Sequence, residues 1–511
     1  MNKKILLVEP TYRTKYPPLG LMKLSTYHKG KGDEVAFVKG CDKKAGNIFW
    51  DRVYISSLFT WTWKETIKTI AFYNDLLFHF SGKIYVGGIL ASLMPDEIFN
   101  ATGIHPIVGL LDNPQKIDQD DKIIIDRLPP DYDIVKQVEN ESFTYNNTDA
   151  YLGYASRGCI RKCSYCAVKT LEPKFIPYIN VTRMVNSIKK IGGDKQNLLL
   201  MDNNILASSK FDAIIDDIKT AGFRKGATYG TTRRKRKVDF NQGLDARLLT
   251  ESKMKRLSEI PLDPMRVAFD DIKYESTYVQ AVRLAHKYGQ KNMSNYVLYN
   301  YKDTPEDFYK RLKINIDLNI EFASDKNGEK TIIYSFPMRF IPLNATDRNI
   351  DTGNLHWNKQ YLRAIKIILN VTKGPVMPGA EFFYQAFGSS EKEFKSILLM
   401  PDDFIRNRVV PNWRQISCSD KRLMPYVRKW KETYFSMSKS EEKALIRAVG
   451  PRDVDFIKKE YKSSKAKKVK ALLKAHLDPM SFMINNNIKI IDNKDKECVK
   501  KSTMPFSANI C

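Results

Sequence analysis

No run of about 18 consecutive apolar residues occurs in the 511-residue sequence, so no membrane-spanning helix is expected. The first residues, MNKKILLVEP, hold neither a long apolar segment nor a small-residue cleavage site. A secretory leader is therefore not expected, and a cytoplasmic location is. Cysteine is scarce, with seven in all, and three of those sit together, which excludes a disulfide framework. Histidine is scarcer still, with six, and no His-x3-His pair is present to complete a zinc site. Acidic residues number 58 against 84 Lys and Arg, a formal charge of +26. No internal repeat is found.

What is present argues for a folded chain of several domains. Hydrophobic residues make up 43% of the sequence, enough for real cores, and the length suits two or three domains. The positive charge suggests an anionic partner, nucleic acid foremost. A composition biased to Lys, Asn and Ile would give the same excess. The excess concentrates at Arg233–Lys237, joined by Arg224 and Lys225, and at Lys458, Lys459, Lys462, Lys465, Lys467, Lys468, Lys470 and Lys474. Such segments grip phosphates or form solvated faces, and neither carries a base-reading motif.

Strands and helices alternate from the start. Apolar runs at 4–9, 34–39, 51–56 and 83–86 read as strands, with 107–110 a further candidate. Residues 21–27 and 64–80 read as helices. This pattern predicts a doubly wound parallel sheet, whose ligands sit beyond the carboxyl ends of the strands. Residues 113–148 are polar and broken by Pro114, Pro129 and Pro130, as in a linker. A second series follows, with strands near 151–156, 197–201, 239–242, 266–269, 293–299 and 332–336. Helices are expected between them, which makes about six βα units, enough for an open barrel. After Pro342 the pattern turns helical, at 361–370, 380–387, 391–399 and 441–449. The polar tail from Asn485 has no structural signature. The class is thus α/β, divided into 1–112, a linker at 113–148, 149–345 and a helical region at 346–511.

Cys159, Cys163 and Cys166 have the spacing C-x3-C-x2-C. Iron–sulfur clusters are held by thiolates close together on one loop. Three thiolates for a four-cornered cluster leave one iron open, the arrangement of a catalytic rather than a structural site. Zinc with a distant histidine and chance clustering are the competing readings. Cys41, Cys418, Cys498 and Cys511 read as bystanders, with Cys418 a conceivable hydrogen-atom donor.

The stretch Arg157-Gly158-Cys159-Ile160-Arg161-Lys162-Cys163-Ser164-Tyr165-Cys166 resembles the signature of the radical S-adenosylmethionine (radical SAM) superfamily, with Tyr165 in the aromatic place before the third cysteine. The resemblance implies a partial (β/α)6 TIM-like barrel with a 4Fe-4S cluster at the end of its first strand. It implies S-adenosylmethionine on the fourth iron, cleaved by one electron to a 5′-deoxyadenosyl radical. An external electron donor such as flavodoxin or ferredoxin, and a substrate of unknown identity, are implied with it. Carried over by position, cofactor contacts fall on Tyr165, on Met201-Asp202-Asn203-Asn204, on Asn241, Gln242, Asp245 and Arg247, and on Asp270. The Gly-Gly-Glu usual after the second strand is absent, and Asp202 would take its part.

The N-terminal series resembles the cobalamin-binding Rossmann domain that precedes many such enzymes. Pro17-Pro18-Leu19-Gly20-Leu21, Val53–Ser57 and Val86-Gly87-Gly88 carry the likeness. The Asp-x-His-x-x-Gly loop that supplies a cobalt ligand is absent, and His28 lies outside that context. Phe59, Trp61 and Trp63 would stack on a corrin or fill its place. Cobalamin with radical methylation, and an inherited scaffold with other radical chemistry, both stay open. So does a nucleic-acid-binding or RNA- or DNA-modifying protein whose cluster is structural or auxiliary.

Overall fold

The structure, a computed structural model, describes residues 2–77, 82–325, 330–408 and 424–478. Four parallel strands open the chain: β1 (Lys4–Glu9), β2 (Glu34–Lys39), β3 (Arg52–Ser57) and β4 (Lys83–Gly88). They pair in the order β2-β1-β3-β4. The run Ile5-Leu6-Leu7-Val8 has no solvent exposure, because helices cover both faces of its sheet. Leu19–Gly30 packs on one side, and Trp63–Leu77 with Pro95–Thr102 on the other. The candidate strand at 107–110 reduces to one parallel bridge, Gly87 with Ile107.

Segment 113–148 is irregular but not loose. Ile125, Tyr132, Ile134, Val135 and Tyr145 are buried in a core shared with β1 and with the second series. Its carboxylates are used as well: Asp118 and Asp121 accept from Tyr27, and Asp131 accepts from Ser25.

The second series holds β5 (Ala150–Gly153), β6 (Asn197–Leu200), a small antiparallel hairpin of β7 (Thr228–Tyr229) and β8 (Arg234–Lys235), then β9 (Val238–Phe240), β10 (Met265–Ala268), β11 (Asn292–Tyr299) and β12 (Ile332–Arg339). Parallel ladders join β5-β6-β9 and β10-β11-β12. Single parallel bridges, Leu244 with Val267 and Val238 with Leu262, connect the two groups. Six parallel strands thus stand in chain order, with helices between them.

Loops beyond the strand ends meet one another: Ser164, after β5, hydrogen-bonds Tyr301, after β11. Side chains in β11 and β12 alternate. Ser335 turns toward helix Pro305–Ser324, where Asn315 donates to it at 2.8 Å. Tyr296 and Phe336 turn the other way, into a partly open interior.

Beyond β12, eight helices among the described residues run from Lys359–Asn370 to Lys467–Leu477. Their core includes Trp357, Phe383, Phe394 and Trp430, and it continues onto Tyr299 and Phe308 of the parallel array. The lysines of 458–474 lie on the outer side of the last two helices, whose buried face is Ile457, Val469, Leu472 and Leu473. Cys418 and the tail from Asn485 lie outside the described residues.

Candidate functional site

The loop from Arg157 to Cys166 leaves the carboxyl end of β5. An antiparallel bridge between Arg157 and Ile176 pins its base. Gly158 has φ +76°, and a Cβ there would sit 2.5 Å from the Lys174 carbonyl oxygen. Its N–H donates to Glu172 Oε2 at 2.6 Å, and Asn203 Nδ2 donates to the same oxygen at 2.9 Å. Below the loop, Arg157 is buried over the Tyr154 ring. It pairs with Glu172 at 3.3 Å and lies 3.8 Å from Asp126, which also holds Lys23 at 3.0 Å.

The three cysteines are partly exposed and free of disulfides. Burial raises the Cys166 thiol, and negative charge on Cys163 and Cys159 would raise it further. Among the described residues, no three His, Cys, Asp or Glu side chains converge as ligands of one metal ion.

Loops after the later strands close on these thiols. Asn204, after β6, is buried and donates to Cys159 Sγ at 3.5 Å and to Asp245 Oδ2 at 3.4 Å, while its Oδ1 is buried without a partner. Asp245, after β9, accepts from Arg247 Nε at 2.6 Å and from Arg161 Nε at 3.2 Å. Burial pushes the Asp245 carboxyl upward, but these arginines win and hold it below the ordinary value. Arg247 also lies over the Tyr274 ring. Asp270, after β10, accepts from Tyr165 at 3.1 Å, and burial raises its carboxyl. The Tyr165 ring meets Tyr301 edge-on.

Of the residues singled out from sequence, Tyr165, Asn204, Asp245, Arg247 and Asp270 gather around the cysteines. Asp202 does not join them. It has no solvent exposure and accepts from the Ala155 and Ser156 N–H groups and the Ser156 hydroxyl. The expected cofactor contact is instead an internal clamp between β5 and β6, because the β5 end offers unpaired N–H donors. Asn241 donates to Tyr16 at 2.9 Å, joining the loop after β9 to the loop after β1. Gln242 is exposed and donates to Asn241 at 3.4 Å.

The interior also holds residues that sequence reasoning missed. Arg266 makes two 2.8 Å bonds to Asp239, and the Tyr296 hydroxyl donates to the Asn241 carbonyl at 2.9 Å. Only the period-two alternation of short strands could have pointed these side chains inward. Beneath the strand ends, Arg311 is fully buried and donates to the carbonyls of Phe269 and Leu298 and to Asp303.

The carboxyl ends of the N-terminal sheet face this site. Beside the Tyr16–Asn241 bond, helix Ile89–Leu93 after β4 packs on helix Val168–Leu171 after the cysteines. Arg348, beyond β12, lies over Trp61, which follows β3. Gly88 at the end of β4 has φ +109° and lies against Ser57 so closely that a Cβ would meet its carbonyl oxygen at 2.2 Å. The hairpin of Arg233–Lys237 is at the opposite end of the strands, where Arg236 pairs with Asp194 ahead of β6.

No protein-family model matches the chain, and no curated protein matches it. Among solved structures it is similar to a radical S-adenosylmethionine methyltransferase, TsrM, from Kitasatospora setae, determined with cobalamin and a 4Fe-4S cluster bound. That likeness covers 67% of this chain and 77% of the other at 14% identity, with a TM-score of 0.46. The same enzyme with tryptophan substrate and a SAM analogue is similar over 62% and 72%, at 15% identity and a TM-score of 0.45. SuiB from Streptococcus suis bound to S-adenosylmethionine is similar over 44% and 45%, at 10% identity and a TM-score of 0.28.

Proposed function

We propose that this chain is a radical SAM enzyme whose 4Fe-4S cluster is held by Cys159, Cys163 and Cys166. The observation that carries the reading is the placement of C-x3-C-x2-C, with Tyr165, at the end of the first of six parallel strands, where the loops after the second, third and fourth strands converge on it. The residues fit the group. The three thiols are free of disulfides on one short loop, and the Asn204 amide N–H donates to Cys159 Sγ at 3.5 Å. When bound, the cluster would supply one electron to S-adenosylmethionine on its open iron, giving methionine and the 5′-deoxyadenosyl radical.

The chain's own residues bind and orient. Asp245 and Asp270 would offer carboxylates to an ammonium or a ribose, and Arg247 a guanidinium to a carboxylate. Asn204 holds Cys159, and Tyr165 is fixed by Asp270 and Tyr301. The N-terminal sheet end meets this side of the array through the Tyr16–Asn241 bond and the packing of Ile89–Leu93 on Val168–Leu171.

Within this reading, methyl transfer is the favoured reaction if cobalamin is bound, and without it other radical chemistry is open. The facing strand ends and the stacked rings of Phe59 and Trp61 support a flat cofactor in the seam. Nucleic acid, if a partner, would meet the hairpin of Arg233–Lys237, at the far end from the cysteines. The reaction takes place in the compartment that supplies an electron donor, which accords with the cytoplasm.

Anaerobic reconstitution tests the proposal. About four irons per chain, and 5′-deoxyadenosine formed on adding reductant and S-adenosylmethionine, are expected. Cys163→Ala should abolish both while circular dichroism stays near that of the wild type. Full iron loading and cofactor cleavage in that variant would sink the assignment.

A further inference from the structure

Beneath the cysteine loop, four charged side chains form a chain that leaves the parallel array and ends on the first helix of the molecule. Glu172 holds the loop. Its Oε2 accepts the N–H of Gly158, the residue before Cys159, at 2.6 Å. Its Oε1 lies 3.3 Å from Nη2 of Arg157, and the same nitrogen lies 3.8 Å from Oδ2 of Asp126. Lys23, on helix Leu19–Gly30, donates to Asp126 Oδ1 at 3.0 Å and to the Asp126 carbonyl oxygen. The two cations are buried and the two carboxylates mostly so. Charge alternates along Lys23, Asp126, Arg157 and Glu172, and sums to zero.

The arginine is the link that can be drawn either way. Its guanidinium lies over the Tyr154 ring, 3.8 Å from the centre, and its Nε and Nη1 are buried without a hydrogen-bond partner. One nitrogen thus faces two carboxylates. Which of them it serves depends on what else neutralises each, because charges out of water are weakly screened. With Lys23 in place, Asp126 has its own cation and Arg157 stays nearer Glu172. Without Lys23, Asp126 is a mostly buried carboxylate short of a cation, and it draws Arg157 toward it. Glu172 then loses the charge that orients it beneath Gly158. Asn203, which donates to Oε2 at 2.9 Å, does not replace that charge. Helix Leu19–Gly30 starts just after Tyr16, which bonds Asn241 across the seam. The footing of the cysteine loop therefore includes a residue of the N-terminal half.

We propose that Lys23 is a positioning residue for the three thiols: by neutralising Asp126 it keeps Arg157 on Glu172, and so keeps Glu172 under Gly158. Its bearing on catalysis rests on reading Cys159, Cys163 and Cys166 as cluster ligands, whereas the hold on the loop belongs to the bare chain.

The test reads the loop in the full-length apoprotein, by hydrogen–deuterium exchange of the peptide 157–166. Exchange should quicken about tenfold in K23M and in E172Q, since a charge-assisted hydrogen bond is worth about that factor. K23R should stay near wild type. K23M/D126N should also return to wild type, because an uncharged Asn does not compete with Glu172 for Arg157; a lysine that served packing alone would not be rescued this way. K29M, which breaks the neighbouring Lys29–Asp131 pair of the same helix, should leave the loop unchanged. Unaltered exchange in K23M, or exchange in K23M/D126N as fast as in K23M, overturns the role. If circular dichroism shows K23M unfolded, a protected loop in K23M/D126N with a loosened one in E172Q is expected, and any other pair of results overturns it. After anaerobic reconstitution, the electron paramagnetic resonance spectrum of the reduced cluster should change in K23M and revert in K23M/D126N. Exchange that follows the prediction in a protein that never cleaves S-adenosylmethionine keeps the positioning role and removes the enzyme; cleavage with unaltered exchange in K23M does the reverse.

Discussion

At Gly158 a side chain has no room. The backbone is left-handed at φ +76°, and the Lys174 carbonyl oxygen lies 2.5 Å from where a Cβ would stand. Gly158→Ala therefore carries about 1–2 kcal/mol of backbone strain in addition to a steric clash. The loop must shift, and iron retained after reconstitution should fall while far-UV dichroism does not. Wild-type iron content would show that the loop tolerates the displacement. Asp202 gives a second residue-scale expectation. Burial raises its carboxyl from the ordinary 3.8 to about 6, against the pull of its hydrogen bonds. An acid whose folded pKa exceeds its unfolded one binds its proton more tightly when folded. Its contribution to stability is full below about pH 4 and is lost as pH rises through 6, by about 3 kcal/mol at most. Urea unfolding of wild type should thus lose stability between pH 4 and 6 relative to Asp202→Asn; parallel curves would contradict this. The cysteine loop was legible in the sequence because its three thiols are local. The role of Asp202 was not, because a polar residue at a strand end turns inward or outward according to donors some 46 positions away.

Among the elements, strands such as Lys4–Glu9 and helices such as Ala380–Phe387 were legible to the residue, because buried parallel strands and amphipathic helices write their period directly. The hairpin at Thr228–Tyr229 and Arg234–Lys235 was not. Each arm has two residues, too few for alternation to register, and its turn is set by the left-handed backbone of Gly230 and Arg233. The segment at 113–148 was legible only in part, for the opposite reason. Its prolines and charges look like a linker, yet its scattered apolar residues enter a core that other elements complete. Helix Pro305–Ser324 shows how an element can serve a site it does not touch. It carries Arg311, which joins the carbonyls ending β10 and β11 to Asp303. Arg311→Met takes a donor from those carbonyls and the charged partner from the mostly buried Asp303 carboxylate, which keeps the Tyr301 N–H, at an expected cost of about 3–5 kcal/mol. The urea midpoint should fall accordingly, and a change below about 1 kcal/mol would show that water replaces the guanidinium.

For the whole molecule, charge and chemistry occupy opposite ends. The basic hairpin lies at the amino ends of the parallel strands and the cysteines at the carboxyl ends. Changing Arg233, Arg234 and Lys235 to Glu should leave deoxyadenosine formation unaltered. If the protein binds RNA there, the slope of log affinity against log salt should shrink by about 2–3. An unaltered slope would reduce the hairpin to ordinary surface. The pairing of strand ends across the seam has a consequence of another kind. The loop that holds the three thiols belongs to one stretch of sequence, while the wall opposite it, with Tyr16, Phe59 and Trp61, is encoded more than 95 residues earlier. Under the proposed reading, the residues that would generate a radical and those that would face it are thus written in separable text.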